Sequence, residues 1–349
     1  MSGVQSRDVA SDEDGMRLDR WFKEHFPGIS FGALNKLLRT GQVRVDGGRV
    51  KANARLEGGQ VVRIPPLPDD ADQAGAAMAA SPDGATIAEI KAMTLFEDSK
   101  VLVLNKPYGL AVQGGSGLSK HVDGMMEALR DRSGRKPRLV HRLDKDTSGV
   151  LMIAKTKGAA TSMAAAFRAR TTKKVYWALV RGVPKPKQGR ISSYLAKGDD
   201  TAEPDNQERM RIAKHGDKGA DHAVTLYSVV ETAGRGLTWL TMRPVTGRTH
   251  QLRAHCNHIG HPIIGDPKYF DVENWELPGG IQNRLHLHAR RLVIPHPDGG
   301  TIDVSAPLPP HMQQSWNLLG LSTDGMGLDG TSPDDDDEWE QLAQRTSRR

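Results

Sequence analysis

From Arg17 onward, apolar residues recur at Leu18, Trp21, Phe22 and Phe26, the spacing of one helical face, and Pro27-Gly28 ends the run. Ser30 can cap a second helix in which Phe31, Leu34, Leu37 and Leu38 form the apolar stripe, with Gly41 just past its end. Lys36 and Arg39 fall off that stripe. Val43 to Val50 then alternates apolar with polar positions around Asp46-Gly47, the pattern of a hairpin. Residues 1–14 start no periodic pattern and read as a flexible N-terminal arm. Two helices and a hairpin thus predict a compact module over residues 15–64.

Pro65, Pro66, Pro68 and Pro82 follow among many alanines, with no Lys or Arg between 65 and 85, and a linker is expected over 65–92. Beyond it, residues 93–315 read as short strands with a few helices, an α+β pattern. Val101–Leu104, Gly149–Ala154 and Lys174–Val180 are the clearest strands. In the third, Val175, Trp177 and Leu179 share one face, and Tyr176 lies on the other. Residues 321–349 carry eight acids, three Arg and little apolar content, which predicts a disordered acidic tail.

Composition narrows the class. The longest apolar run, Val175 to Val180, is far short of the ~18 residues that span a bilayer. The first residues hold no apolar stretch that could serve as a signal, so a cytoplasmic protein is expected. A lone cysteine, Cys256, supports neither an intramolecular disulfide nor a multi-thiolate zinc site. The chain carries +6 overall; the tail accounts for −5, which leaves +11 on the first 320 residues. Gly15 to Ile64 alone holds ten Lys or Arg against four acids, a net of +6. That density suits a polyanion partner, and equally a solvated basic face.

Arg17-Leu18-Asp19-Arg20-Trp21-Phe22, followed by Leu34-x-x-Leu37-Leu38-Arg39-x-Gly41-x-Val43-x-Val45-Asp46-Gly47, resembles the RNA-binding domain named after ribosomal small-subunit protein four. The resemblance implies that Lys36, Arg39 and Arg44 contact phosphates, with affinity that falls steeply with salt.

Two further constellations could carry chemistry. His141-Arg142-Leu143-Asp144-Lys145-Asp146-Thr147-Ser148-Gly149 is a polar loop between apolar strands, a placement that fixes catalytic groups and equally one that only stabilises a turn. Thr246-Gly247-Arg248-Thr249-His250-Gln251-Leu252-Arg253-Ala254-His255 reads as a helix start near Thr249, with histidines free to bond backbone or RNA. His250 and His255 are five apart with no carboxylate at a ligand offset, so no metal site is expected.

Together with Asn105-Lys106-Pro107-Tyr108-Gly109-Leu110, Lys174-Val175-Tyr176-Trp177-Ala178-Leu179-Val180 and Gly265-Asp266, these blocks closely resemble the RluA-type pseudouridine synthases of the branch that modifies large-subunit ribosomal RNA. The resemblance implies a catalytic domain with a mainly antiparallel mixed β-sheet core behind a small α+β RNA-binding domain. It implies Asp144 as nucleophile, Arg253 as its ion-pair partner, and Tyr176 stacked on the uracil as a candidate to remove the C5 proton. Arg142 is implied to contact RNA and hold the target nucleotide out of its stack, and His141, Arg248 and His250 join the expected RNA contacts. Large-subunit ribosomal RNA is the implied partner; no cofactor, metal or membrane is, and a monomer is expected. Asp146 is assigned to the turn. Three other readings stay open: a pseudouridine synthase acting on another structured RNA, an RNA glycosidase using Asp144 with Asp146, and a ribosome-assembly factor that binds RNA without catalysis.

Overall fold

The computed structural model describes residues 4–10, 13–26, 28–67, 84–115, 120–131, 134–169, 171–198, 209–234, 236–270 and 276–322. The chain divides into two compact units, Met1–Asp83 and Gly84–Arg349.

In the first unit, β1 (Gln5–Asp8), α1 (Leu18–His25), α2 (Phe31–Arg39), β2 (Arg44–Val45) and β3 (Val61–Ile64) form a small α+β body. Its antiparallel sheet has the order β1-β3-β2. Leu18, Trp21, Phe22 and Phe26 of the first helical run and Leu34 and Leu38 of the second are buried together with Val43, Val45, Val62 and Ile64. The Ser30 hydroxyl accepts the Ala33 N–H and so caps α2. Three expectations need correction. Residues 5–8 are not a loose arm but pair with β3; their side chains all face out, so no apolar period marks the strand. Phe31 is 63% exposed and outside the stripe. Around Asp46 and Gly47, both at positive φ, the turn forms, yet only Val45 and Gly48 bridge across it. The ladder partner of β2 is β3, because the Asp46 carboxylate accepts the Val61 N–H and its own N–H donates to Val61 O.

The second unit opens with α3 (Gly84–Met93), which occupies the end of the expected linker, while residues 68–83 lie outside the described ones. Ile90 and Met93 are buried against the sheet, which an alanine-rich stretch after prolines does not announce. The sheet contains β4 (Thr94–Glu97), β5 (Val101–Lys106), β6 (Arg138–Leu139), β7 (Ser148–Ala154), β8 (Lys173–Arg181), β9 (Gln188–Lys197), β10 (Met210–Ala213), β11 (Asp221–Ala233), β12 (Leu237–Pro244), β13 (Leu287–Pro295) and β14 (Thr301–Ser305). Its main order is β10-β9-β11-β12-β8-β13-β7-β5-β4, with β14 beside β13 and β6 beside β7. Among these pairs only β13 with β7 is parallel. The fold class is therefore α+β with a mainly antiparallel mixed sheet.

Helices cover both faces. In β7, Leu151 and Ile153 join the core beneath α3, whereas Val150, Met152 and Ala154 pack with Ala159 and Met163 of α5 (Lys157–Arg168; the turn Val122–Met125 is α4). A strand buried on both sides reads as a continuous apolar run, which Val150–Ala154 is. In β8, Val175, Trp177 and Leu179 pack with Trp239 and with Trp316 of α7 (Pro310–Leu319). The other face, Tyr176, Ala178 and Val180, meets Leu252 and Cys256 of α6 (Gln251–His258). Leu321 closes onto the Trp316 cluster, so the expected tail begins later than 321; residues 323–349 lie outside the described ones.

Candidate active site

A cleft of about 660 Å³ opens where the β6–β7 loop, β8 and the start of α6 meet. The sheet order explains the meeting: β13 stands between β7 and β8, and α6 follows β12, the other neighbour of β8. Residues far apart in sequence thus share one edge. Asp144, Tyr176 and Arg253 line the cleft together, as do Arg142, Arg168, Lys174, Arg248 and His250. Asp144 is the one carboxylate among the described lining residues, so the cleft is electropositive around a single acid.

The loop bearing Asp144 is held from below. Lys106, with no exposed surface, donates through Nζ to the carbonyls of Pro107 (3.0 Å), Leu110 (2.7 Å) and Lys145 (2.9 Å). Burial pulls this ammonium down to about 7, against the charges of Asp146 and Asp144. The Lys145 carbonyl also accepts the Gly109 N–H, so the Asn105–Leu110 segment clamps the loop that bears Asp144. At the far end of the loop, Gly149 has φ +109° and a Cβ there would lie 2.2 Å from Ala289 O, so only glycine lets β7 approach β13. Asp146 does not line the cleft; its charge acts on Lys106 and Tyr108. That placement removes the paired-carboxylate arrangement a glycosidase needs.

Arg253 is 3% exposed and is fixed by Asp266, a residue quoted with its motif but given no role. Nε donates to Asp266 Oδ2 at 2.8 Å and Nη2 to Oδ1 at 2.7 Å, a bidentate pair. Asp266 Oδ1 also accepts the N–H groups of Lys268 and Tyr269. The remaining Nη1 reaches Asp144 Oδ2 at 3.5 Å. Burial would lower the guanidinium's proton affinity, but the hydrogen bonds and charge of Asp266, then Asp144, raise it above the ordinary arginine value. The Tyr176 phenol is pushed up by burial and further by Asp144, and it stays protonated across the physiological range.

The turn before α6 is built by Gln251. Its Oε1 accepts the Arg248 N–H and the Thr246 hydroxyl, and its Nε2 donates to Val224 O and Thr225 Oγ1. His250, not Thr249, is the N-cap, at φ 49° and ψ 20°.

The other expected RNA contacts divide. Arg142 is exposed at the cleft and makes no hydrogen bond or ion pair among the described residues. His141 does not present a charge: its Nε2 accepts the Met152 N–H at 2.8 Å, its ring lies 4.7 Å from that of Phe167, and burial lowers it to about 3. It extends the short β6 ladder with a side chain. Arg248 bonds His222 O and the Asp221 carboxylate while remaining at the rim. In the first unit, Lys36 and Arg39 are exposed on α2, whereas Arg44 braces its own turn through the carbonyls of Gly41 and Gly47. Sequence reasoning missed Arg168 and gave Lys174, the first residue of an expected strand, no role; their cationic character was the available signal. Among the described residues, no group of His, Cys, Asp and Glu could hold a metal ion.

The chain is similar to known proteins over most of its length. A family model described as RNA pseudouridylate synthase matches residues 100–258. A ribosomal large subunit pseudouridine synthase C of Vibrio cholerae is 35% identical over 319 residues, 90% of this chain and 97% of the relative. The protein of that name from Yersinia pestis is 38% identical, over 87% of this chain and 92% of its own length. The solved structure of human RNA pseudouridylate synthase domain containing 4 superposes with a TM-score of 0.56 at 28% identity, covering 68% of this chain and 98% of that one. With the site residues gathered in the matched fold and the likeness extending over nine-tenths of the chain, this protein belongs to the RNA pseudouridylate synthase family, as an RluA-type member.

Proposed function

We propose that the chain isomerises specific uridines of large-subunit ribosomal RNA to pseudouridine in the cytoplasm, with Asp144 as nucleophile. The observation that carries this reading is the convergence of Asp144, Tyr176 and Arg253 on one cationic cleft. Isomerisation breaks the N1–C1′ bond, forms a C5–C1′ bond, moves a proton from C5 to solvent and brings one to N1. No redox change or phosphoryl transfer is involved, and the reading assigns no cofactor.

Asp144, half-buried and opposite the Arg253 Nη1, attacks either the ribose or the uracil and is released when the new bond forms. Tyr176, on the face of β8 turned to the cleft, supplies a surface for the uracil ring. Reaching the glycosidic bond requires the nucleotide to leave its stack, at a cost of a few kcal/mol, and Arg142, exposed at the rim and without a partner among the described residues, holds it out. The first unit adds affinity through Lys36 and Arg39, in the manner of the RNA-binding domain it resembles.

The test is incubation of the full chain with large-subunit ribosomal RNA, followed by chemical labelling and primer-extension mapping. New stops at a few loop uridines that vanish with Asp144→Asn, while RNA binding persists, are expected. Full activity in that variant refutes the role of Asp144; tight binding without stops supports an RNA-binding assembly role instead.

A further inference from the structure

His250 is one of two non-glycine residues with positive φ among the described ones. Such a backbone costs on the order of 1 kcal/mol or more for a side-chain-bearing residue, and it marks places where the surrounding structure holds a side chain for a purpose. Its side chain is only 9% exposed and stands between Tyr269 and Asp144.

The hydrogen bonds around Tyr269 favour one tautomer of the ring. The Tyr269 hydroxyl accepts the Met210 N–H at 2.7 Å and gives its single hydrogen to Met210 O at 3.1 Å. With that hydrogen on Met210 O, the nearer of its two acceptors, His250 Nδ1, 3.3 Å from the same oxygen, is the donor. The neutral ring then carries no hydrogen on Nε2, and this lone pair lies at the cleft, 3.8 Å from Asp144 Oδ2. The Nε2 lone pair thus faces a carboxylate oxygen that Arg253 Nη1 also reaches, at 3.5 Å.

The reaction needs a base for the C5 proton, and the buried Tyr176 phenol, already protonated, is poorly suited to that task. From the geometry we infer that His250 is a catalytic residue whose Nε2 takes up the C5 proton. The C–H electron pair returns to the uracil ring as it regains its double bond, the proton binds Nε2, and the resulting imidazolium beside the Asp144 carboxylate releases it to solvent. The charged groups around the ring are Asp144 from the β6–β7 loop, Arg253 from its own helix, and Lys268 and Asp266 from the following segment, with Tyr269 at Nδ1. Burial, Arg253 and Lys268 disfavour the imidazolium; Asp144 and Asp266 favour it, which lets the ring both accept and release a proton.

The inference rests on the reading of the chain as a uridine isomerase, and its test separates the two. Full-length wild type, Asp144→Asn, His250→Asn and His250→Gln are assayed on large-subunit ribosomal RNA transcribed with protium or deuterium at C5, with RNA affinity and thermal midpoint measured alongside. The histidine variants are expected to bind RNA within about twofold of wild type and to turn over roughly 10²-fold more slowly, the usual size of an acid–base contribution. Deuterium should slow them more than it slows wild type. Variants that match the wild-type rate, or slow variants with an unchanged isotope effect, overturn the assignment. Should both variants fail to fold, the wild type decides: burial lowers the ring below its ordinary value, so turnover at saturating RNA must hold level down to about 6.5 and fall at lower pH, and a profile without that fall overturns the inference. Wild type that makes no pseudouridine defeats the functional reading itself, whereas active wild type, dead Asp144→Asn and active His250 variants defeat only the role of His250.

Discussion

Asp266→Asn isolates the contact that places Arg253. Asparagine keeps the shape of the side chain, and its oxygen can still accept the Lys268 and Tyr269 N–H groups and Arg253 Nη2. It loses the charge, and its amide NH2 now faces Arg253 Nε, donor against donor, where Oδ2 had accepted at 2.8 Å. Each charge-assisted hydrogen bond of this kind contributes about 1.5–3 kcal/mol. The guanidinium is 3% exposed, so water cannot replace the lost partner, and breaking a buried ion pair from one side costs about 3–5 kcal/mol. Since one oxygen contact survives, the lower end applies, about 3 kcal/mol. For a unit of this size that corresponds to a fall in thermal midpoint of roughly 6–12 °C. Near-ultraviolet circular dichroism during heating reads it directly. Turnover, followed by tritium release from C5-labelled RNA, should drop at least about tenfold, because a freed Arg253 collapses onto Asp144 and blocks its attack. A midpoint within about 1 °C of wild type with unchanged turnover would refute the account of Asp266 as the anchor of the site.

Gly149→Ala places a methyl group 2.2 Å from Ala289 O at φ +109°, and is expected to cost at least about 3 kcal/mol or to prevent folding, as measured by calorimetry or soluble yield. His255, His286 and His288 are buried and neutral, lowered by burial to about 4, 4 and 3, so the unfolded chain binds protons below its ordinary value of about 6.5 that the folded chain refuses. Stability should therefore decline as pH falls from about 6.5 toward 4, by on the order of 3 kcal/mol for each ring at the lower limit; a thermal midpoint that stays level over that range contradicts this. Lys36→Ala and Arg39→Ala should each weaken RNA binding alike across sequences and reduce the salt slope of affinity by about 0.7–0.9, without moving the thermal midpoint.

How much could be read without coordinates depended on the range of the interaction. Both helices of the first unit were legible because Leu18, Trp21 and Phe22, and then Leu34 and Leu38, are buried at the spacing of a helical face, and that signal is local. The two faces of β8 were equally legible, since alternation alone separates Trp177 from Tyr176. The strand Gln5–Asp8 was not, because its stability lies in hydrogen bonds to β3, more than fifty residues on, and its side chains record nothing of that. Helix α3 was hidden for a similar reason: an alanine-rich segment after prolines gains its order from the sheet it covers.

The local pattern and the quoted motifs sufficed for an α+β, RNA-directed chain and for the membership of Asp144, Tyr176 and Arg253 in one site. Periodicity and spacing carry the first of these, and the resemblance of the motifs to a known family carries the second. Tertiary structure alone decided which groups face one another across the cleft. His141 and Arg44 were spent on backbone bonds, Asp266 became the anchor of Arg253, and His250 came to stand with its Nε2 3.8 Å from Asp144. Charge and hydrogen-bonding capacity belong to a residue type, but whether they are free for a substrate is settled by the partners that long-range packing delivers, and a single sequence does not record those partners.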